Sequence, residues 1–202
     1  MKNRNYELIF KQIDKSIYFV HLIIQTYISI LRGINVSGHK RILMTELKVL
    51  YEELGFTDVK TYIQSGNVIF RTKDNKEEVI VKIERAIKKK FGFYVPVIIR
   101  TISEFKKVIL SNPFPEDSDI NKIAIVFLEK VPLQNYVEKV IEMDFLPDKF
   151  VIKERDIFIL CVNGFGRTKL TNNFFENKLK VKATTRNWKT VNKLIELSKL
   201  LK

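Results

Sequence analysis

The spacing of apolar positions divides the chain into short elements. Thr26 to Leu31 alternates β-branched or aromatic residues with others, which predicts a strand. A glycine-bearing loop, 32–40, follows it. Leu47, Leu50, Tyr51 and Leu54 then fall on one helical face; Thr45 is placed to cap that helix and Gly55 to end it in a left-handed turn. Val59 to Ile63 and Val68 to Arg71 read as strands joined by the turn 64–67, a connection tight enough to require antiparallel pairing. Asp74 and Glu77 have capping-box spacing ahead of a helix carrying Val79, Ile80, Ile83, Ala86, Ile87 and Phe91, and Gly92 stops it. Val95 to Thr101 reads as a fourth strand, with Pro96 at its start. The order is βαββαβ, the ferredoxin-like unit, with both helices expected on one face of an antiparallel sheet.

Ser103 is placed to cap a short helix to Leu110, and the proline-rich run 112–117 breaks the chain. Beyond it, Lys122 to Glu129 reads as a strand and Leu133 to Met143 as a helix. Phe150 to Lys153 and Ile157 to Val162 read as strands around a turn near Arg155 and Asp156. Asn172 is placed to cap a helix through Phe174, Phe175 and Leu179, and a last helix starts near Asn187. This half reads βαββα, an incomplete second copy. The predicted class is therefore α+β, built of two ferredoxin-like halves. The expected division is an N-terminal extension (1–25), a first ferredoxin-like subdomain (26–111) and a second α+β subdomain with C-terminal helices (112–202).

Composition narrows the class further. Hydrophobic residues make up 46% of 202 positions, which excludes a disordered acidic tail, and a chain of this size folds without metal or disulfide. The single cysteine, Cys161, rules out an internal disulfide and fits a reducing, cytoplasmic compartment. The apolar run 17–24 falls well short of the roughly 20 residues needed to cross a bilayer, so no membrane is implied. The extension that holds it reads as an added helix or a poorly ordered segment. Neither a zinc site nor any other metal or cofactor is indicated: Cys161 and the two histidines, His21 and His39, lack the spacing. The net charge of +13 favours anionic partners, although lysine-rich composition alone produces the same number.

Three polar stretches can carry chemistry. The densest runs from Asn163 to Asn172 and holds Gly164, Gly166, Arg167, Thr168 and Lys169 between a strand and a helix. Glycines let successive N–H groups converge on an anion, and Arg and Lys add full charge, so this stretch can cradle a phosphate; a solvated glycine-rich loop is the alternative. It is neither a P-loop nor a dinucleotide fingerprint. A second stretch, Thr184, Thr185, Arg186 and Asn187, precedes the last helix and reads as a cap or as a polar site. A third pairs Arg32 and Asn35 with Gln64, Ser65 and Asn67; in a βαββαβ fold these two loops leave the sheet at the same end. Strand 68–71 lacks the aromatic platform of an RNA recognition motif.

The segments Leu31–Val36, Tyr62–Val68, Asn112–Phe114, Asn163–Asn172 and Ala183–Trp188 together resemble the bacterial domain of unknown function 1697 family, from about Thr26 to the C-terminus. The resemblance implies two ferredoxin-like halves and no established reaction. It implies a candidate ligand site made of Arg32, Asn35, Gln64, Ser65, Asn67, Asn163, Arg167, Thr168, Lys169, Thr185, Arg186 and Asn187. Three readings follow. The loops bind an anionic partner, nucleic acid or nucleotide, with Arg32, Arg167, Lys169 and Arg186 on phosphate. They serve an enzyme acting on a phosphorylated or carboxylated small molecule. Or they hold the two halves together and touch no ligand.

Overall fold

A computed structural model describes residues 24–36 and 38–201. The N-terminal extension up to residue 23 lies outside the described residues. The first half consists of β1 (Gln25–Leu31), α1 (Met44–Glu53), β2 (Thr57–Tyr62), β3 (Asn67–Thr72), α2 (Lys76–Phe91) and β4 (Val97–Thr101). Helix α3 (Ile102–Leu110) and a short 3₁₀ turn (Ile120–Lys122) lead to the second half. That half consists of β5 (Ile123–Leu128), α4 (Gln134–Ile141), β6 (Lys149–Lys153), β7 (Asp156–Leu160), α5 (Asn172–Leu179) and β8 (Ala183–Asn187), followed by α6 (Trp188–Ser198).

The two sheets have the same antiparallel topology, β2-β3-β1-β4 and β6-β7-β5-β8. The second copy is thus complete, one strand beyond the sequence reading. Ala183–Asn187 carries two threonines, an arginine and an asparagine, so no apolar alternation marks it as a strand. Pairing with β5 makes it one, with Ile125 opposite Arg186.

Helices α1 and α2 cover one face of the first sheet through Leu47, Leu50, Tyr51, Val79, Ile83 and Ile87, and α4 and α5 cover the second through Val140, Phe175 and Leu179. The opposite faces are covered too. Ile28, Ile30, Ile69 and Ile98 of one sheet and Ile125, Phe127 and Phe158 of the other share a third core. Phe105 and Val108 of α3 and Val191, Leu194 and Ile195 of α6 complete it. The rings of Phe105 and Phe127 stack at 5.1 Å across this layer. Alternation explains the arrangement: successive residues of a strand face opposite sides, so a strand apolar on both faces must be covered twice. All six residues of β5 are buried.

Four caps differ from the sequence reading, each by one or two positions. Helix α1 starts after Leu43 with no side-chain cap, so Thr45 does not serve. Asn75, not Asp74, caps α2; the Asp74 carboxylate is held by Lys82 instead. Thr101, not Ser103, caps α3, in a capping box with Glu104. Thr171, not Asn172, caps α5, which leaves the Asn172 side chain for other use.

Candidate functional site

Three of the candidate segments meet at the boundary between the halves, and Arg186 joins them. Its side chain leaves β8 and crosses into the first half, where it is 6% exposed. Nε donates to Asn67 Oδ1 at 2.5 Å. Nη2 donates to the carbonyls of Leu31, Ser65 and Gly66 at 2.9, 2.7 and 3.3 Å. Nη1 donates to Thr184 Oγ1 and the Thr185 carbonyl. Every guanidinium nitrogen therefore has an acceptor within the protein. Burial, with Arg32 nearby, pulls its pKa down to about 9.

The remaining residues of the first-half loops are also engaged. The Arg32 fork grips Glu176 of α5, with Nη2 to Oε2 at 3.0 Å, and Nη2 also donates to Asn173 Oδ1. Burial opposes ionisation of Glu176, but the Arg32 fork and the Ala183 N–H outweigh it and lower its pKa. Asn35, at φ +54°, clamps its loop: its amide donates to the carbonyls of Ile42 and Gln64 and accepts from the Ile42 N–H. Asn67 is fully buried, and its amide donates to the Tyr62 carbonyl and to Ser65 Oγ. The expected proximity of the loops after β1 and before β3 is thus realised, and Leu31 N–H donates to the Gly66 carbonyl. The side chain of Gln64 is exposed on the rim of a separate depression with Asn35 and Arg41.

The other candidates gather at a different place. The loop after β7, the start of α5 and the end of β8 enclose a cleft of about 320 Å³. Its floor is a cross-strand row: Ala124 pairs with Asn187 on one side and Ile159 on the other. Alanine at the centre of the row leaves the space. Thr168, Thr171, Asn172, Thr185 and Asn187 form its polar wall, with Leu170 and the half-exposed ring of Phe165 on the apolar side. The Thr185 hydroxyl donates to Asn172 Oδ1 at 2.7 Å, and Asn187 Oδ1 caps α6 by accepting from the Thr190 N–H at 2.8 Å. Cys161 is buried behind this loop; burial pushes its thiol pKa up, against a hydrogen bond with Thr168. On the other side of the same loop, Asn163, Arg167 and Lys169 line a smaller crevice of about 160 Å³ with Asp144 and Asp148. Eleven of the twelve candidates therefore form two groups. Arg32, Asn35, Ser65, Asn67 and Arg186 are joined in the boundary network, while Asn163, Arg167, Thr168, Lys169, Thr185 and Asn187 surround the cleft and its neighbour. Gln64 joins neither group through its side chain.

Sequence reading missed four residues that matter here. Arg100, which donates across the boundary to Asp156 Oδ1 at 3.3 Å, gives no local motif, since an Arg within a hydrophobic strand signals burial only once its partner strand is known. Glu176 sits on an ordinary helix. Ala124 matters for what it lacks, and only the register exposes that. Among the described residues no group of three His, Cys, Asp or Glu is placed to hold a metal ion, and no helix is long and apolar enough to cross a membrane.

The chain is similar to the conserved bacterial protein SP0830 from Streptococcus pneumoniae, at 22% identity and a TM-score of 0.68 over 87% of this chain and 99% of that one. No curated protein matches it. The family described as "Protein of unknown function (DUF1697)" matches residues 24–158, a span that takes in the first three motif segments and ends before the loop 163–172. A match over that much of the sequence, on a chain whose two halves repeat one topology, is decisive: this protein belongs to the DUF1697 family.

Proposed function

We propose that this is a cytoplasmic binding protein for a small anionic ligand of the nucleotide class, seated in the cleft of the second half. The observation that carries this reading is the cleft itself, with an apolar floor, one aromatic ring and a wall of Thr and Asn side chains. Its volume of about 320 Å³ suits a small molecule rather than an extended strand. Arg167 and Lys169 are exposed on the same loop, where they line the crevice on its other side, and would meet a phosphate that reaches past the loop from the cleft. Isothermal titration with nucleoside monophosphates, against single-stranded RNA across a salt series, tests it. Saturable nucleotide binding that Arg167→Ala and Lys169→Ala weaken is the expected result. Binding of RNA alone, with a steep salt slope, would move the function to nucleic acid.

The structural reading applies to the other group of candidates. Arg186 spends its donors on Asn67 and on carbonyls across the boundary, and Asn67 spends its amide on Arg186, Tyr62 and Ser65. Arg186 and Arg32 are therefore scaffold for the site rather than phosphate ligands in this reading.

A further inference from the structure

We propose that the cleft selects the ring edge of its ligand, favouring exocyclic carbonyl oxygens over amino groups, through the side-chain amides of Asn172 and Asn187. This rests on the small-ligand reading above. A backbone N–H can only donate, so the bond from Thr190 N–H fixes Oδ1 of Asn187 toward the helix. The Asn187 Nδ2 group then faces away from Thr190, and no protein acceptor holds it among the described residues. Asn172 has the same polarity. Because Thr171 caps α5, the Asn172 amide is free of that duty, and its Oδ1 takes the Thr185 hydroxyl proton. Its Nδ2 is likewise left to donate.

Both residues line one cleft, around a floor of Ala124, Ile159 and Leu170 that offers no polar group from its side chains. No Asp or Glu lines the cleft. Phe165 supplies a face for a planar ring. A ligand carbonyl can accept from these amides. An amino group in its place sets donor against donor at these two amides, a mismatch that discriminates better than a change in apolar bulk.

The test compares inosine monophosphate with adenosine monophosphate, which differ at the exocyclic position, carbonyl against amino, and with it at the adjacent ring nitrogen, N–H against a bare acceptor. Titration is run on the wild type, Asn172→Asp and Asn187→Asp. Aspartate caps a helix as well as asparagine and still accepts from Thr185 or Thr190, so both variants keep the fold, which their melting temperatures check. The expected result is a preference of about tenfold for the inosine ligand in the wild type, lost or reversed in either variant. Equal affinity of the wild type for the two nucleotides, with binding intact, overturns the edge selection and leaves the nucleotide reading standing. A preference that survives both variants overturns the assignment to these amides. If neither nucleotide binds, the small-ligand reading falls and this inference falls with it.

Discussion

Arg100 and Arg186 are counterparts in the two halves, and each reaches into the other half. Arg100 pairs across β1 with Ile28, and Arg186 pairs across β5 with Ile125, the same position in each sheet. Arg186 donates to the carbonyl of Leu31, the last residue of β1; Arg100 donates to that of Leu128, the last residue of β5, at 2.7 Å. Their polar partners correspond as well: Asn67 opens β3 and Asp156 opens β7. The exchange is not equivalent in detail, since Nε of Arg100 is buried without a partner while Nε of Arg186 has Asn67. Beside Arg100, Glu104 also takes Lys76 and Arg155, so a chain of charges runs along the boundary. The halves are joined by reciprocal insertion of cations as well as by the apolar layer.

Removing either arginine should therefore destabilise the whole chain. Arg186→Ala strands the Leu31 and Ser65 carbonyls, and Arg100→Ala strands the Asp156 carboxylate. Each is expected to cost about 3–5 kcal/mol in urea unfolding, the range for breaking a buried charged interaction. Arg186→Lys should not rescue, because a point cation cannot reach Asn67, Leu31 and Ser65 together. A loss under about 1 kcal/mol for Arg186→Ala, the size of an exposed pair, would remove it from the scaffold.

Gly66 is a second fixed point of the same boundary. It has φ +79°, and an added Cβ would lie 2.6 Å from Cδ1 of Ile34 and 2.9 Å from Cβ of Leu31. Gly66→Ala combines a left-handed backbone with a clash against buried side chains. It should lower stability by about 2–4 kcal/mol. Gly33→Ala, with open space around the same type of backbone, should cost less. Equal melting temperatures for the two variants would show that the packing around Gly66 yields freely.

The acidic partners across the boundary should respond oppositely to pH. The pKa of Glu176 is lowered in the fold, where the Arg32 fork and the Ala183 N–H overcome its burial. Its contribution is thus present above the ordinary Glu value and is lost as pH falls through the lower folded value. Burial raises the pKa of Asp156 despite Arg100, so its contribution grows as pH falls from the raised value toward the ordinary Asp value. Stability measured from about pH 7 down to about pH 3 should show both variants converging on the wild type, Glu176→Gln from below and Asp156→Asn from above. Parallel curves for either variant would contradict these shifts.

The cleft depends on one small side chain. Ala124→Val adds bulk at the centre of the row Asn187–Ala124–Ile159. Ligand binding should fall by about tenfold or more, while overpacking costs about 1–3 kcal/mol. Arg167→Ala, by contrast, should leave stability within about 0.5 kcal/mol, because the residue is exposed. Undiminished nucleotide affinity in Ala124→Val would place the ligand elsewhere.

Much of the fold was legible in the sequence because local physics repeats at fixed spacing. Strands β1, β3 and β5 and helix α2 show in their apolar periodicity, and Gly55 and Gly92 mark helix ends by a conformation few other residues adopt. The polar loops also stood out, as did the meeting of the loops after β1 and before β3, which follows from strand order alone. Caps were less legible, since Thr, Ser, Asn and Asp cluster at several adjacent positions and tertiary partners choose among them: Lys82 takes Asp74 and leaves Asn75 to cap. What only the tertiary structure decided is the use of each polar side chain. Arg186 and Arg167 are the same residue type in neighbouring motifs, yet one is buried among carbonyls of the other half and the other faces solvent. β8 is a strand only because β5 offers an edge, and Ala124 opens a cleft only because Asn187 and Ile159 flank it. Burial and register are set by contacts distant in sequence, and no local pattern encodes them.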